Sequence, residues 1–174
     1  MVCFMSEGLS TNTILDIYSR LRHALKSRKV VLEGGAAIKL LVKSSRLVSD
    51  IDASTDMPYV DFKRKFKELG LVGFKFVPAS IVLFTDNKTK AELDFGYRKE
   101  FGPSNGYLGL THKDIVSKAV AKNFNYKGEK VRVFIMTPEH LLDRKLKLMM
   151  LPGRSELKRK RDKEDIISIL DRFY

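Results

Sequence analysis

A chain of 174 residues with 33 Lys and Arg against 21 Asp and Glu carries a net charge of +12, which favours a polyanionic partner such as nucleic acid or nucleotide phosphates. At 44% hydrophobic and 31% charged residues it reads as a globular chain rather than a disordered or membrane one, and no window approaches the ~18 apolar residues of a bilayer span. The single cysteine, Cys3, excludes an internal disulfide and a cysteine-based zinc site, while "MVCFMSEG" lacks the build of a secretory signal, so a cytoplasmic chain is expected.

Ile14, Ile17, Tyr18, Leu21 and Leu25 recur at helical spacing and predict an amphipathic first helix. "KVVLEGG" is a short apolar strand that stops at Gly34-Gly35, and "AAIKLLV" resumes as a helix behind that turn. "RLVSDIDAST" reads as a strand with Leu47, Ser49, Ile51 and Ala53 on one face and Val48, Asp50 and Asp52 on the other. "DFKRKFKELG" predicts a helix closed by Gly70. Three β-rich runs follow, "GFKFVP", "SIVLFT" and "KAELDFGYR", the last two joined by a "DNKT" hairpin turn. "HKDIVSKAVAK" reads as a helix and "EKVRVFIM" as a strand. Thr137 and Pro138 open the next helix, whose buried stripe is expected at Leu142, Leu146 and Met149 with Lys145 solvated beside it. Pro152-Gly153 interrupts, and Ser155 starts a closing helix expected to bury Leu157, Ile166, Ile167 and Leu170, with Asp162 in reach of Lys158. This order predicts an α/β (α+β) fold. A mixed, partly antiparallel sheet flanked by helices spans 1–136, and a helical C-terminal segment packs on it over 137–174.

Alternation sets Asp50 and Asp52 on one face of their strand, one residue apart, where two carboxylates repel unless a cation intervenes. Mg²⁺ suits such a place, because it binds through one or two carboxylates plus substrate phosphate oxygens. Asp94 in "KAELDFGYR" is the preferred third acid and Glu92 the runner-up. Gly34 and Gly35, at a strand-to-helix turn, let phosphate approach backbone amides, although neither a Walker loop nor G-x-G-x-x-G is present. Five basic residues between Lys158 and Lys163 offer a grip on triphosphate or RNA, and Phe124 and Tyr126 in "NFNYK" are candidates for stacking on RNA bases. His23, His112 and His140 are scattered without metal-ligand spacing, and no G-x-S-x-G elbow exists.

Together "GGAAIKLL", "RLVSDID", "AELDF" and the basic C-terminal helices resemble the polymerase-β-like nucleotidyltransferase superfamily, and within it the AbiEii-like abortive-infection toxins. The resemblance runs from about Val30 to Leu170. It implies a nucleotidyltransferase-like sheet and transfer of a nucleoside monophosphate from an NTP to an acceptor hydroxyl, with tRNA or another RNA as acceptor and an antitoxin protein as partner. It further implies Asp50, Asp52 and Asp94 as ligands of Mg²⁺ (or Mn²⁺ in its place), with Asp94 helping to deprotonate the acceptor. Lys145 would be catalytic, holding phosphates. Gly34, Gly35, Arg46, Ser49, Arg154 and Arg161 would bind nucleotide, and Asp162 and Asp165 would pair with arginines. One departure is Ala36, where the family often has Thr or Ser after the glycines. It leans toward the alternative, a noncatalytic RNA-binding or regulatory module retaining the fold, which the acidic trio disfavours.

Overall fold

The computed structural model describes residues 8–26, 29–58, 61, 64–65, 74–78, 82–95 and 112–174. Helix α1 (Thr11–Leu25) is capped by Ser10, whose hydroxyl accepts from the Thr13 amide at 3.1 Å, and it buries Ile14, Ile17, Tyr18, Leu21 and Leu25 as their spacing predicts. The buried Tyr18 hydroxyl donates to the Val30 carbonyl at 2.9 Å and accepts from the Phe134 amide at 2.9 Å, which fastens α1 to two strands at once.

Among the described residues one sheet holds seven strands in the order β3-β4-β5-β2-β1-β7-β6. They are β1 (Val30–Leu32), β2 (Asp50–Thr55), β3 (Phe74–Pro78), β4 (Val82–Asp86), β5 (Glu92–Phe95), β6 (Val120–Tyr126) and β7 (Glu129–Ile135). β1 is antiparallel to β2 and parallel to β7, and β2 is parallel to β5; the three remaining pairings are antiparallel. The sheet is therefore mixed and partly antiparallel, as the element order predicts. Helix α2 (Gly34–Val42) links β1 to β2, and α3 (His112–Lys118) precedes β6. Helices α4 (Pro138–Met149) and α5 (Glu156–Phe173) follow β7. They pack on each other and on α2, and Leu141 and Ile169 join the same apolar core as the sheet.

The β2–β5 register matters most for function. Asp50 lies beside Glu92, Ile51 beside Leu93, Asp52 beside Asp94 and Ala53 beside Phe95. Paired residues share a face, so Ile51, Ala53, Leu93 and Phe95 go to the core while Asp50, Asp52 and Asp94 face away from it. The predicted hairpin turn fixes β5. Asp86 accepts from the amides of Lys88 and Thr89 and from the Thr89 hydroxyl at 2.6 Å, and Arg20 on α1 clamps it with two bonds of 2.9 and 2.8 Å.

Five expectations are corrected. The helix predicted over "HKDIVSKAVAK" ends at Lys118, because from Val120 the chain pairs antiparallel with β7 across a Lys127-Gly128 turn with both φ positive (51° and 81°). Strand pairing there overrides alanine's helix preference. Phe124 and Tyr126 are consequently half-buried against the core, and the Tyr126 hydroxyl donates to Asp16 at 2.7 Å, so they are not free stacking platforms. On α4 the buried positions are Leu141 and Lys145, while Leu146 is 42% exposed. On α5 they are Asp162, Asp165, Ile166 and Ile169, while Leu157, Ile167 and Leu170 are exposed. In both helices ion-paired side chains share the inward face with apolar ones. The β2 strand begins only at Asp50, with Leu47 exposed and Val48 buried. The helix expected over 61–70 falls mostly outside the described residues.

Candidate active site

Ten residues singled out in the sequence converge on one cavity of about 380 Å³: Gly34 and Gly35 from the start of α2, Arg46, Ser49, Asp50 and Asp52 around the start of β2, Asp94 from β5, Lys145 from α4, and Arg154 and Arg161 from the C-terminal segment. That volume lies within the range of small-molecule sites. Glu92 does not line the cavity, which leaves Asp94 as the third acid. Ala36 is fully buried and also does not line it, so the turn offers backbone amides and no side chain.

The glycine turn and the acids touch directly. A Cβ placed on Gly34, whose φ is +54°, would lie 2.1 Å from Asp52 Oδ2. One on Gly35 would lie 3.3 Å from the Arg46 guanidinium carbon. Gly34→Ala should therefore destabilise the fold by clearly more than Gly128→Ala, a turn position with φ +81° and nothing near its Cβ. The latter pays only the left-handed backbone penalty of ~1–2 kcal/mol. Urea unfolding of the two variants checks this; equal losses would mean that Asp52 moves aside freely.

Burial pushes the Asp52 carboxyl up to about 6; the Arg144 guanidinium opposes this, and Asp50, Glu33 and Asp94 add like-charge repulsion. A cation beside Asp52 would relieve both burial and repulsion. Ser49 donates its hydroxyl to Asp50 at 3.2 Å. Among the described residues no three His, Cys, Asp or Glu are already drawn into a metal's ligand shell. Mg²⁺ requires none, since one or two carboxylates and substrate phosphates suffice, and an all-oxygen donor set fits a hard divalent cation.

The cations divide into two kinds. Asp162 and Asp165, three residues apart on the inner face of α5, hold an alternating chain of charges. Arg154 meets Asp162 at 2.7 Å, Lys145 meets both Asp162 and Asp165 at 2.8 Å, and Arg46 donates to Asp165. Asp162 thus pairs with Lys145 and Arg154, not with Lys158. By contrast Lys158 and Arg161 are exposed at the cavity and have no carboxylate partner among the described residues. Lys158 was missed as an individual site residue because it sat within a basic run whose orientation the sequence left open.

Sequence reasoning also missed Glu33 and Arg144. Glu33 is 5% exposed, accepts from the Ser54 hydroxyl and from Arg144, and donates its amide to the Asp52 carbonyl at 2.8 Å. Its carboxylate makes no capping bond to α2, so the first amides of that helix are left for a ligand. Although burial works against its charge, Arg144 is held firmly protonated by Glu33, Asp52 and Asp94. A glutamate just before a glycine pair was a visible signal; its partner 111 residues away was not.

No family model matches the chain, and no curated protein does. Solved structures do. An antigenic nucleotidyltransferase-like protein from Paracoccidioides brasiliensis aligns over 92% of this chain and 75% of its own, at 21% identity and a TM-score of 0.61. The lincosamide antibiotic adenylyltransferase LnuA, with lincomycin bound, aligns over 94% of this chain and 98% of its own, at 17% identity and a TM-score of 0.52. At such identities the shared property is architecture: this chain has the nucleotidyltransferase-like fold.

Proposed function

We propose that the protein is a Mg²⁺-dependent nucleotidyltransferase that moves a nucleoside monophosphate from an NTP to an acceptor hydroxyl. The observation that carries this reading is the register-matched set Asp50, Asp52 and Asp94, at a cavity that also contains a glycine turn and two cations without a carboxylate partner among the described residues. In the reaction the acceptor oxygen bonds to the α-phosphorus as the bond from that phosphorus to the bridging oxygen breaks. Pyrophosphate leaves with that electron pair, and the hydroxyl proton passes to Asp94. Mg²⁺, or Mn²⁺ in its place, held by Asp50, Asp52 and Asp94, supplies charge neutralisation at the transferring phosphoryl group. The α2 amides at Gly34 and Gly35 take phosphate oxygens, and Lys158 and Arg161 hold the outer phosphates. Arg46, Lys145 and Arg154, tied to Asp162 and Asp165, set the cavity wall and lend it residual positive potential.

LnuA acts on a lincosamide; here the net charge of +12 supports a polyanionic acceptor, RNA or tRNA. The AbiEii-like motif order supports the same acceptor, and a toxin of that type would be held in check by an acidic antitoxin. Incubation with each α-labelled NTP, Mg²⁺ and total RNA should transfer label, and Asp52→Ala should abolish transfer. Failure with every NTP and acceptor, or transfer indifferent to Asp52→Ala, rejects the reading and favours the noncatalytic module.

A further inference from the structure

We propose that a second anion site at the far end of α5 holds the backbone of a single-stranded nucleic acid whose terminal hydroxyl lies in the first cavity. The proposal rests on the nucleotidyl-transfer reading for the hydroxyl's fate, but not for the binding itself.

A separate cavity of about 350 Å³ opens where Val42, the last residue of α2, and Ser44 and Ser45 beyond it meet Ser168, Asp171 and Arg172 of α5. Arg172 lines this cavity, and Lys43 and Lys122 lie near it without lining it. Lys122 on β6 donates to the Leu41 carbonyl at 3.5 Å and lies 5.7 Å from the Phe173 ring centre. Burial, then the nearness of Arg172 and Lys43, holds Lys122 below the ordinary lysine range. Lys43, Lys122 and Arg172 make no ion pair among the described residues; Asp171, the one acid bordering this cavity, pairs with none of them. With Asp171 as the single acid at the cavity, the three cations leave a net positive charge there that an external anion would offset.

The two cavities lie along one edge of α5. Lys158 and Arg161 line the first, and Ser168 and Arg172 line the second. These four positions, spaced 3, 7 and 4, follow one edge of the helix beside the inward-facing Asp165. Asp165 is already neutralised by Arg46 and Lys145, so it does not break the track. Beside this edge runs the loop carrying Ser44, Ser45, Arg46 and Ser49, fixed by Lys39 donating to the Arg46 carbonyl at 2.7 Å. Arg161 and Arg172 are eleven residues apart on the helix, or ~17 Å. That is the reach of roughly five nucleotides at a stacked rise of ~3.4 Å. No aromatic platform faces the track among the residues that line the two cavities, so phosphate contacts, not base stacking, carry the binding.

Fluorescence anisotropy of RNA and DNA 12-mers of one sequence, from 50 to 200 mM salt, tests this. The variant is Lys43→Asn with Arg172→Gln; both residues are exposed, and asparagine tolerates the left-handed backbone at Lys43 (φ 53°, ψ 40°). Its affinity should fall about tenfold at 100 mM salt, and its salt slope should shrink by ~1.4, two phosphate contacts at ~0.7 each. Comparing the two strands tells whether the sugar hydroxyl matters. Wild-type affinity and slope in the variant would overturn the site. So would a wild-type protein that binds neither strand while labelling another acceptor, or an acidic protein that alone needs Lys43 and Arg172; nucleotidyl transfer would then stand. Strand binding that depends on these residues, without transfer from any NTP, supports the site and rejects the transfer reading.

Discussion

Asp52→Asn should raise stability and end activity together. The Asp52 carboxyl sits at about 6 in the folded chain against an ordinary 3.8. The folded state therefore holds a proton there that the unfolded state has released. Below about pH 4 both states are protonated and the contribution is fully present. As pH rises through about 6 the folded chain must ionise Asp52 beside Asp50, Glu33 and Asp94, and the contribution is lost. Two pKa units correspond to about 3 kcal/mol. Asp16 and Asp86, both held below the carboxylate range by hydrogen bonds and by Arg20 despite their burial, act in the opposite sense and below about pH 4, so the windows separate. Subtracting the pH-stability curve of Asp52→Asn from that of the wild type should isolate a fall between pH 4 and 6. Label transfer by the variant should drop by about 10²- to 10³-fold, the scale of losing one principal charge-stabilising group. A variant no more stable at pH 7.5, or one that still transfers label, contradicts the assignment.

Replacing Lys145 with methionine should cost about 3 kcal/mol, the lower end of what a broken buried ion pair costs. The side chain is buried, and its ammonium sits between two carboxylates that are themselves 1% and 2% exposed. Removing it leaves Asp162 and Asp165 facing each other, each with only one arginine. The lower end of the range is expected because Arg154 and Arg46 remain. A solvated lysine would give a change within about 0.5 kcal/mol. Urea unfolding distinguishes the two, and adding Asp165→Asn to the methionine variant should recover part of the loss through their coupling.

The contrast between these two sites explains what was legible in the sequence. Asp50, Asp52 and Asp94 could be read because strand alternation is a local rule, and the same rule puts Ile51 and Leu93 in the core. The turns and caps were legible for the same reason: Ser155, for instance, accepts from the Lys158 amide at 3.4 Å. Lys145 was misread because its burial depends on acids 17 and 20 residues away, and apolar periodicity assigns a lysine to solvent by default. β6 was misread because "KAVAK" is locally helical, and only its partner strand makes it extended. Glu33 and Arg144 needed a contact across most of the chain.

The pairing of Asp52 with Asp94 also constrains how the molecule can fail. Shifting β5 by a single position would turn Leu93 and Phe95 outward and bring Asp94 into the apolar interior, an error too costly to persist. Well-folded but chemically silent isomers of this kind should not accumulate. If the proposed transfer activity holds, it would form together with correct pairing of β2 and β5, and activity recovered after dilution from denaturant would count properly threaded molecules.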